Sequence, residues 1–169
     1  MKKIACLSAL ACVLAVSVGT ASAATSTVTG GYAQGDIKNV QNKAQGFNLK
    51  YRYENDTALG YIGSLTYVGK TGSDNGEHVK GQYYGITGGP AYRINDWASI
   101  YGVIGLGYGK FQQVQNLNDK TSSSDYGFSY GAGLQFNPIE NVALDFSYEQ
   151  SRVRHNDVGT WIVGAGYRF

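Results

Sequence analysis

Cysteine is nearly absent from this chain: Cys6 and Cys12 are its only two, and both fall within the first 23 residues. Residues 24–169 lack disulfides and thiolate ligands, so neither a crosslink nor a cysteine-held metal can organise the fold. Histidine is limited to His78 and His155, which do not form a paired metal-ligand motif. Beyond residue 23 no apolar run approaches the roughly 18 residues that mark a membrane-spanning helix. If the chain spans a membrane, it must do so as a closed barrel, because open strand edges cannot be left in hydrocarbon. An excess of one charge is missing too. With Lys2 and Lys3 set aside, the 14 basic residues fall to 12 and balance the 12 acidic ones. Nucleic acid is therefore not an expected partner, since phosphate binding needs a basic surplus.

What the chain has in quantity is 24 Gly and 14 Tyr beside only two Pro, a combination that suits strands and aromatic membrane girdles. Its start is of a different kind. Met1-Lys2-Lys3, an apolar run over 4–18 and the small residues Ala21-Ser22-Ala23 predict a signal peptide over 1–23, cut between Ala23 and Ala24. The run is broken by Ser8, Ser17, Gly19 and Thr20 and is too short for an anchor. A lipoprotein cut before Cys12 would leave an apolar core of only about eight residues. Residues 24–169 then form one domain of ordinary size.

Strict alternation dominates that domain. In Phe47-Asn48-Leu49-Lys50-Tyr51-Arg52-Tyr53-Glu54 the odd positions are apolar or aromatic and the even ones polar, which is a strand with one greasy face. The same pattern runs from Tyr126 to Phe136, through Val142, Leu144, Phe146 and Tyr148, and through Trp161, Val163, Ala165, Tyr167 and Phe169. Eight strands are predicted, over 25–35, 43–54, 59–70, 79–94, 97–113, 124–137, 141–154 and 159–169. In 97–113 the facing is ambiguous, with Ile100, Ile104, Leu106 and Tyr108 read as outward. Asn55-Asp56-Thr57, Asn95-Asp96 and Asn137-Pro138-Ile139-Glu140 read as short turns, and the polar stretches 35–45, 69–78, 114–123 and 155–158 as longer loops. Alternating short turns and long loops are the habit of bacterial barrels. The fold class is all-β, an eight-stranded antiparallel up-and-down transmembrane barrel.

Alternation alone would also fit a soluble barrel with its greasy face inside, so side-chain volume decides. Eight strands enclose an interior just wide enough for side chains to fill. The greasy set is rich in Tyr, Phe and Trp, whereas the opposite set offers Gly85, Thr87, Gly89, Gly127, Ser129, Gly131 and Gly133. Small residues fit inside and bulky ones against lipid. Lys50, Arg52, Glu54, Arg93, Asp145, Glu149 and Arg168 then point into the lumen, where they must pair or hydrogen-bond. A plug is favoured over an ion path. Several strands also outrun the roughly ten residues needed to cross an apolar band of ~25 Å, so sheet should project outside.

Two motifs are weighed and set aside. Gly105-Leu106-Gly107-Tyr108-Gly109-Lys110 lacks the phosphate-loop spacing and the hydroxyl residue after Lys, because Phe111 stands there. Ser151, His155 and Asp157 are neighbours in a polar stretch, a common accident that does not make a triad. No catalytic, metal or cofactor-binding residue is expected.

Gly46-Phe47-Asn48-Leu49-Lys50-Tyr51-Arg52-Tyr53, Gly89-Pro90-Ala91-Tyr92-Arg93-Ile94-Asn95-Asp96-Trp97, Asn141-Val142-Ala143-Leu144-Asp145-Phe146 and the end Gly166-Tyr167-Arg168-Phe169 resemble the Ail/Lom family of small enterobacterial surface barrels. The resemblance covers the whole chain. It implies a poreless barrel with protruding extracellular strands and, in several members, attachment, invasion or complement evasion. The loop stretches match no adhesion motif, so no ligand residue carries over. The expected location is the outer membrane, with loops outside and both mature termini in the periplasm, as a monomer. Expected partners are lipid and lipopolysaccharide, the barrel-assembly machinery, and host surface or serum proteins. The alternating end with Trp161, Tyr167 and Phe169 resembles the signal read by that machinery. A structural role in envelope integrity is the alternative to surface interaction.

Overall fold

Period-two patterns built from Tyr, Val, Ile, Thr and Phe favour pleated strands, and an antiparallel series joined by short turns needs no crossover. The computed structural model describes residues 25–37, 44–55, 57–74, 77–114, 120–153 and 156–169. The expected cleavage pair Ala23 and Ala24, with Cys6, Cys12 and His155, lies outside them. Eight strands succeed one another: β1 (Thr25–Ile37), β2 (Ala44–Glu54), β3 (Leu59–Asp74), β4 (Glu77–Asn95), β5 (Ala98–Val114), β6 (Lys120–Ile139), β7 (Val142–Val153) and β8 (Asn156–Arg168). Each pairs antiparallel with the next, and β8 pairs with β1, closing the barrel. Closure removes the edges of the wall.

At one end of the barrel, here the turn end, Asp96-Trp97 and Glu140-Asn141 make two-residue connections, and the chain end returns to pair Phe169 with Ser26 through two 2.9 Å backbone bonds. The expected turn over 137–140 is tighter than predicted. β6 runs on to Ile139, which pairs with Val142 across a register irregularity after Phe136. Pro138 sits within that irregularity, where it need not donate a ladder bond. Asn137 is buried there; its backbone N–H donates to the Trp97 carbonyl at 2.8 Å and its side-chain amide to the Val142 carbonyl at 3.0 Å.

At the opposite, loop end the expected loop 69–78 is mostly strand: β3 and β4 stay paired as far as Asp74 with Glu77. Likewise β5 and β6 stay paired as far as Val114 with Lys120. Backbone pairing continues there although the apolar–polar alternation of the sequence fades.

The two faces differ as the volumes require. Along β2, Phe47, Tyr51 and Tyr53 are exposed while Asn48, Lys50, Arg52 and Glu54 are buried. In β5, Ile100, Ile104 and Leu106 face outward and Tyr101 and Val103 are buried inside. The lumen admits these bulky rings because glycine stands opposite them. A Cβ built on Gly133 would overlap the Tyr101 ring and lie 2.7 Å from the Ser147 Cβ, and one on Gly107 would lie 2.6 Å from the Tyr83 hydroxyl. Gly133→Ala is therefore expected to destabilise the barrel by about 1–3 kcal/mol through overpacking. Urea unfolding midpoints in lipid vesicles check this, with Gly63→Ala as control because a Cβ there meets nothing within 4 Å. Equal midpoints for the two variants would contradict it.

Candidate functional site: a bridged lumen and an apolar outer wall

The lumen-facing side chains form layers along the barrel axis. Nearest the turn end, Glu54 gathers three guanidinium groups. Arg93 Nη2 donates to both carboxylate oxygens at 2.8 Å and Nε to Oε1 at 3.1 Å, Arg168 Nη2 lies 3.4 Å from Oε2, and Arg52 Nη2 ion-pairs with Oε1. Arg52 also reaches across to β6, donating from Nη1 to Gln135 Oε1 at 2.6 Å. In the next layer Lys50 Nζ lies 2.5 Å from Asp145 Oδ1 and donates to Ser147 Oγ at 2.7 Å. The Tyr101 hydroxyl meets the two oxygens of the same carboxylate at 2.9 and 2.7 Å.

Glu149, on β7, accepts hydroxyl bonds from Ser64 at 3.2 Å and Thr66 at 3.0 Å, both on β3. Asn48 ties those two hydroxyls together from β2 at 2.7 and 2.8 Å. Further toward the loop end, Tyr83, Ser129 and Ser151 hydrogen-bond mutually, below an apolar cluster of Ala33, Ala44, Val68 and Ile162. In a ring of eight strands, β2 faces β6 and β3 faces β7. The Arg52–Gln135 bond and the Glu149 bonds to Ser64 and Thr66 therefore cross the whole lumen.

All seven charged residues read from the sequence as lumen-facing, Lys50, Arg52, Glu54, Arg93, Asp145, Glu149 and Arg168, take part in these layers. Three lumen partners were not foreseen, Tyr83, Tyr101 and Asn137, whereas Asn48 and Gln135 lie on the inward face that alternation gives them. The alternation leaves Tyr83 unplaced and the facing of Tyr101 ambiguous, and only the glycines paired near them signal room for a ring. Ser151 and Asp157 do not meet. Ser151 points into the lumen, whereas Asp157 lies at the outer surface, 3.2 Å from Arg152 Nε. Among the described residues no cluster of three or more His, Cys, Asp or Glu is placed to hold a metal.

The outer wall has the inverse character. Ile86, Ile104 and Leu106 are 66, 63 and 65 % exposed, at the middle of their strands. A contiguous band of this kind has no stable existence in water. Toward the loop end, Tyr32, Phe47, Tyr67, Tyr84, Tyr108 and Tyr126 are consecutive cross-strand neighbours over six strands. Toward the turn end, Trp97 stacks on Phe136 and Tyr167 on Phe169, with centroids 6.1 and 6.2 Å apart. Aromatic girdles flanking an apolar band mark a barrel set in a bilayer.

The model of the outer membrane protein beta-barrel domain family matches residues 8–169. The chain belongs to this family. Family relatives at high identity are outer membrane protein X of Enterobacter cloacae, 75 % identical over the full length of both chains, and its Escherichia coli K12 counterpart, 70 % identical over the full length of both. Among solved structures, Ail, the attachment invasion locus protein of Yersinia pestis, in complex with the heparin analogue sucrose octasulfate, superposes with a TM-score of 0.82. It is 40 % identical and covers 88 % of this chain and all of its own. The Ail-family resemblance read from the sequence thus holds, and this family member is an outer-membrane barrel.

As in the sequence reading, Trp161, Tyr167 and Phe169 alternate along the outer wall of this barrel, all three exposed. The family wall is closed only as far as all eight strands run. Among the described residues, the β2–β3 pairing reaches Gly69 and the β6–β7 pairing begins at Phe128. Beyond these points β3 to β6 continue as a paired sheet, and among the described residues no β7 residue pairs with 120–124.

Proposed function

We propose that the barrel holds this four-stranded sheet at the cell surface as an attachment surface for host surface or serum proteins. The edge of β6 at 120–124 carries the proposal. Among the described residues it has no β7 partner, and an extended segment of another protein can complete such an edge by strand addition, with main-chain bonds supplying affinity. The loop end lies outside and both mature termini in the periplasm, after removal of residues 1–23. The monomer is surrounded by lipid and lipopolysaccharide, and the end with Trp161, Tyr167 and Phe169 serves the barrel-assembly machinery. The likeness to Ail, named for attachment and invasion, supports the reading. Solid-phase binding of matrix and complement-regulator proteins tests it. The intact barrel is expected to bind, and a variant lacking 111–123, which removes most of the β5–β6 projection, is expected to lose about tenfold or more in affinity, as removal of several main-chain bonds requires. No binding by the intact barrel, or equal binding by both, would overturn attachment and leave the envelope-structural role.

In this reading the lumen is filled and carries no current. Side-chain bonds between opposite strands at two levels support it. In planar bilayers the barrel is expected to stay silent, and stable openings above about a few tens of picosiemens would contradict a barrel too narrow for an aqueous channel.

A further inference from the structure

The turn end of the lumen carries more positive charge than its internal pairing uses. Arg52, Arg93 and Arg168 share the single carboxylate of Glu54, and both oxygens of that carboxylate are already engaged by Arg93. Arg93 has further partners in the Asp96 main-chain carbonyl at 3.2 Å and Asn137 Oδ1 at 3.5 Å, and Arg52 has Gln135. The Arg168 guanidinium has only the 3.4 Å contact with Glu54 among the described residues, and its buried Nε, like that of Arg52, has no hydrogen-bond partner. Three guanidinium groups against the Glu54 carboxylate leave an excess of two positive charges, of which the Asp96 carboxylate at the rim offsets one.

These groups do not face a sealed core. Arg93 and Arg168 line a vestibule of about 390 Å³ at the turn-end mouth, beside Asn55 and Asn95, whose side-chain amides are donors. Guanidinium forks and neutral donors converging on a water-open recess are the chemistry that recognises oxyanions. Asp96 stands exposed at the rim and meets Arg93 through its backbone carbonyl rather than its carboxylate.

We propose that this vestibule is a binding site for a small tetrahedral oxyanion of the phosphate type, held between Arg93 and Arg168. The site lies at the opposite end of the barrel from the attachment surface and does not depend on that role. Binding supplies the counter-charge that Glu54 alone does not.

The test is an amide NMR titration of the purified barrel in detergent micelles with inorganic phosphate, against chloride at matched ionic strength. Saturable shifts are expected at Asn55, Asn95 and Arg168 with phosphate and not with chloride. Arg168→Gln is expected to weaken binding about tenfold or more through loss of a charged hydrogen-bond donor. Asp96→Asn is expected to tighten it, because it removes a repelling charge without cutting the contact to Arg93. Heat-modifiable mobility verifies the fold of each variant, and the exposed Asp96 position keeps the test alive should Arg168→Gln misfold. Repeating the titration in nanodiscs separates the sources of the oxyanion. A response in both zwitterionic and anionic lipid assigns soluble phosphate, and one lost only in anionic lipid assigns a headgroup phosphate to the same site. Linear shifts, an unchanged affinity in Arg168→Gln, the two substitutions moving affinity in the same direction, or no response in zwitterionic discs would overturn the proposal.

Discussion

Asp145→Ala is expected to lower the unfolding free energy of the barrel by about 3–5 kcal/mol, the cost of breaking a buried ion pair by removing one partner. Lys50 is 1 % exposed, and among the described residues its only carboxylate contact is Asp145, 2.5 Å away. Without it the ammonium keeps Ser147 Oγ at 2.7 Å and the face of the Tyr101 ring, whose centroid is 5.7 Å distant. Neither carries a compensating charge. The same deletion takes away both acceptors of the Tyr101 hydroxyl, leaving a second buried polar group unsatisfied. Urea-induced unfolding in lipid vesicles, read by tryptophan fluorescence, measures the loss. The double variant Lys50→Met, Asp145→Leu should regain the part due to the unpaired ammonium, because an apolar pair of similar volume carries no desolvation cost, while the Tyr101 hydroxyl stays unsatisfied. A loss below about 1 kcal/mol in the single variant would mean that water screens the pair, contrary to a filled lumen.

Ile104→Arg is expected to cost about 2–4 kcal/mol, the range for arginine at the lipid-facing midplane of a barrel. Ile104 is exposed on the outer wall between Trp97 and Tyr108, and its cross-strand neighbours are Gly88 and Tyr130. A guanidinium there meets hydrocarbon and finds no partner. Leu144→Arg makes the graded comparison. Leu144 also faces outward but stands two residues past the first residue of β7, close to the turn-end girdle, so its arginine can reach the interface at a cost of about 0–1 kcal/mol. Equal losses at the two positions would show that depth in a bilayer is not what the substitutions sense.

Which face each side chain takes was readable wherever alternation was clean. Along 47–54 the apolar and polar sets separate without exception, so Lys50, Arg52 and Glu54 could be placed inside before any partner was known. β5 was harder because Tyr101 and Val103 are apolar and yet face inward, which puts greasy residues on both sides of one strand. Partners were harder still. Lys50 and Asp145 lie 95 residues apart, and their meeting depends on closure of β8 onto β1 and on the stagger of the registers, to which residue pattern is blind. The long hairpins were hidden for a related reason: alternation reports a boundary between two media, and at 70–74 and 120–124 the sequence does not alternate while the backbone remains paired. The β6 edge at 120–124 emerges only because the β6–β7 pairing begins at Phe128 while β6 pairs with β5 from Lys120.

One face of each strand contacts lipid and the other fills the lumen, and on this division everything else rests. Single cysteines placed at each position from 142 to 149, labelled with a fluorophore and exposed to lipid-borne quenchers, test it most directly. Quenching is predicted at 142, 144, 146 and 148 and not at 143, 145, 147 and 149, in step with the exposure of Leu144, Phe146 and Tyr148 and the burial of Ala143, Asp145, Ser147 and Glu149. A flat or inverted pattern would contradict the assignment of membrane-facing residues and with it the account of the lumen.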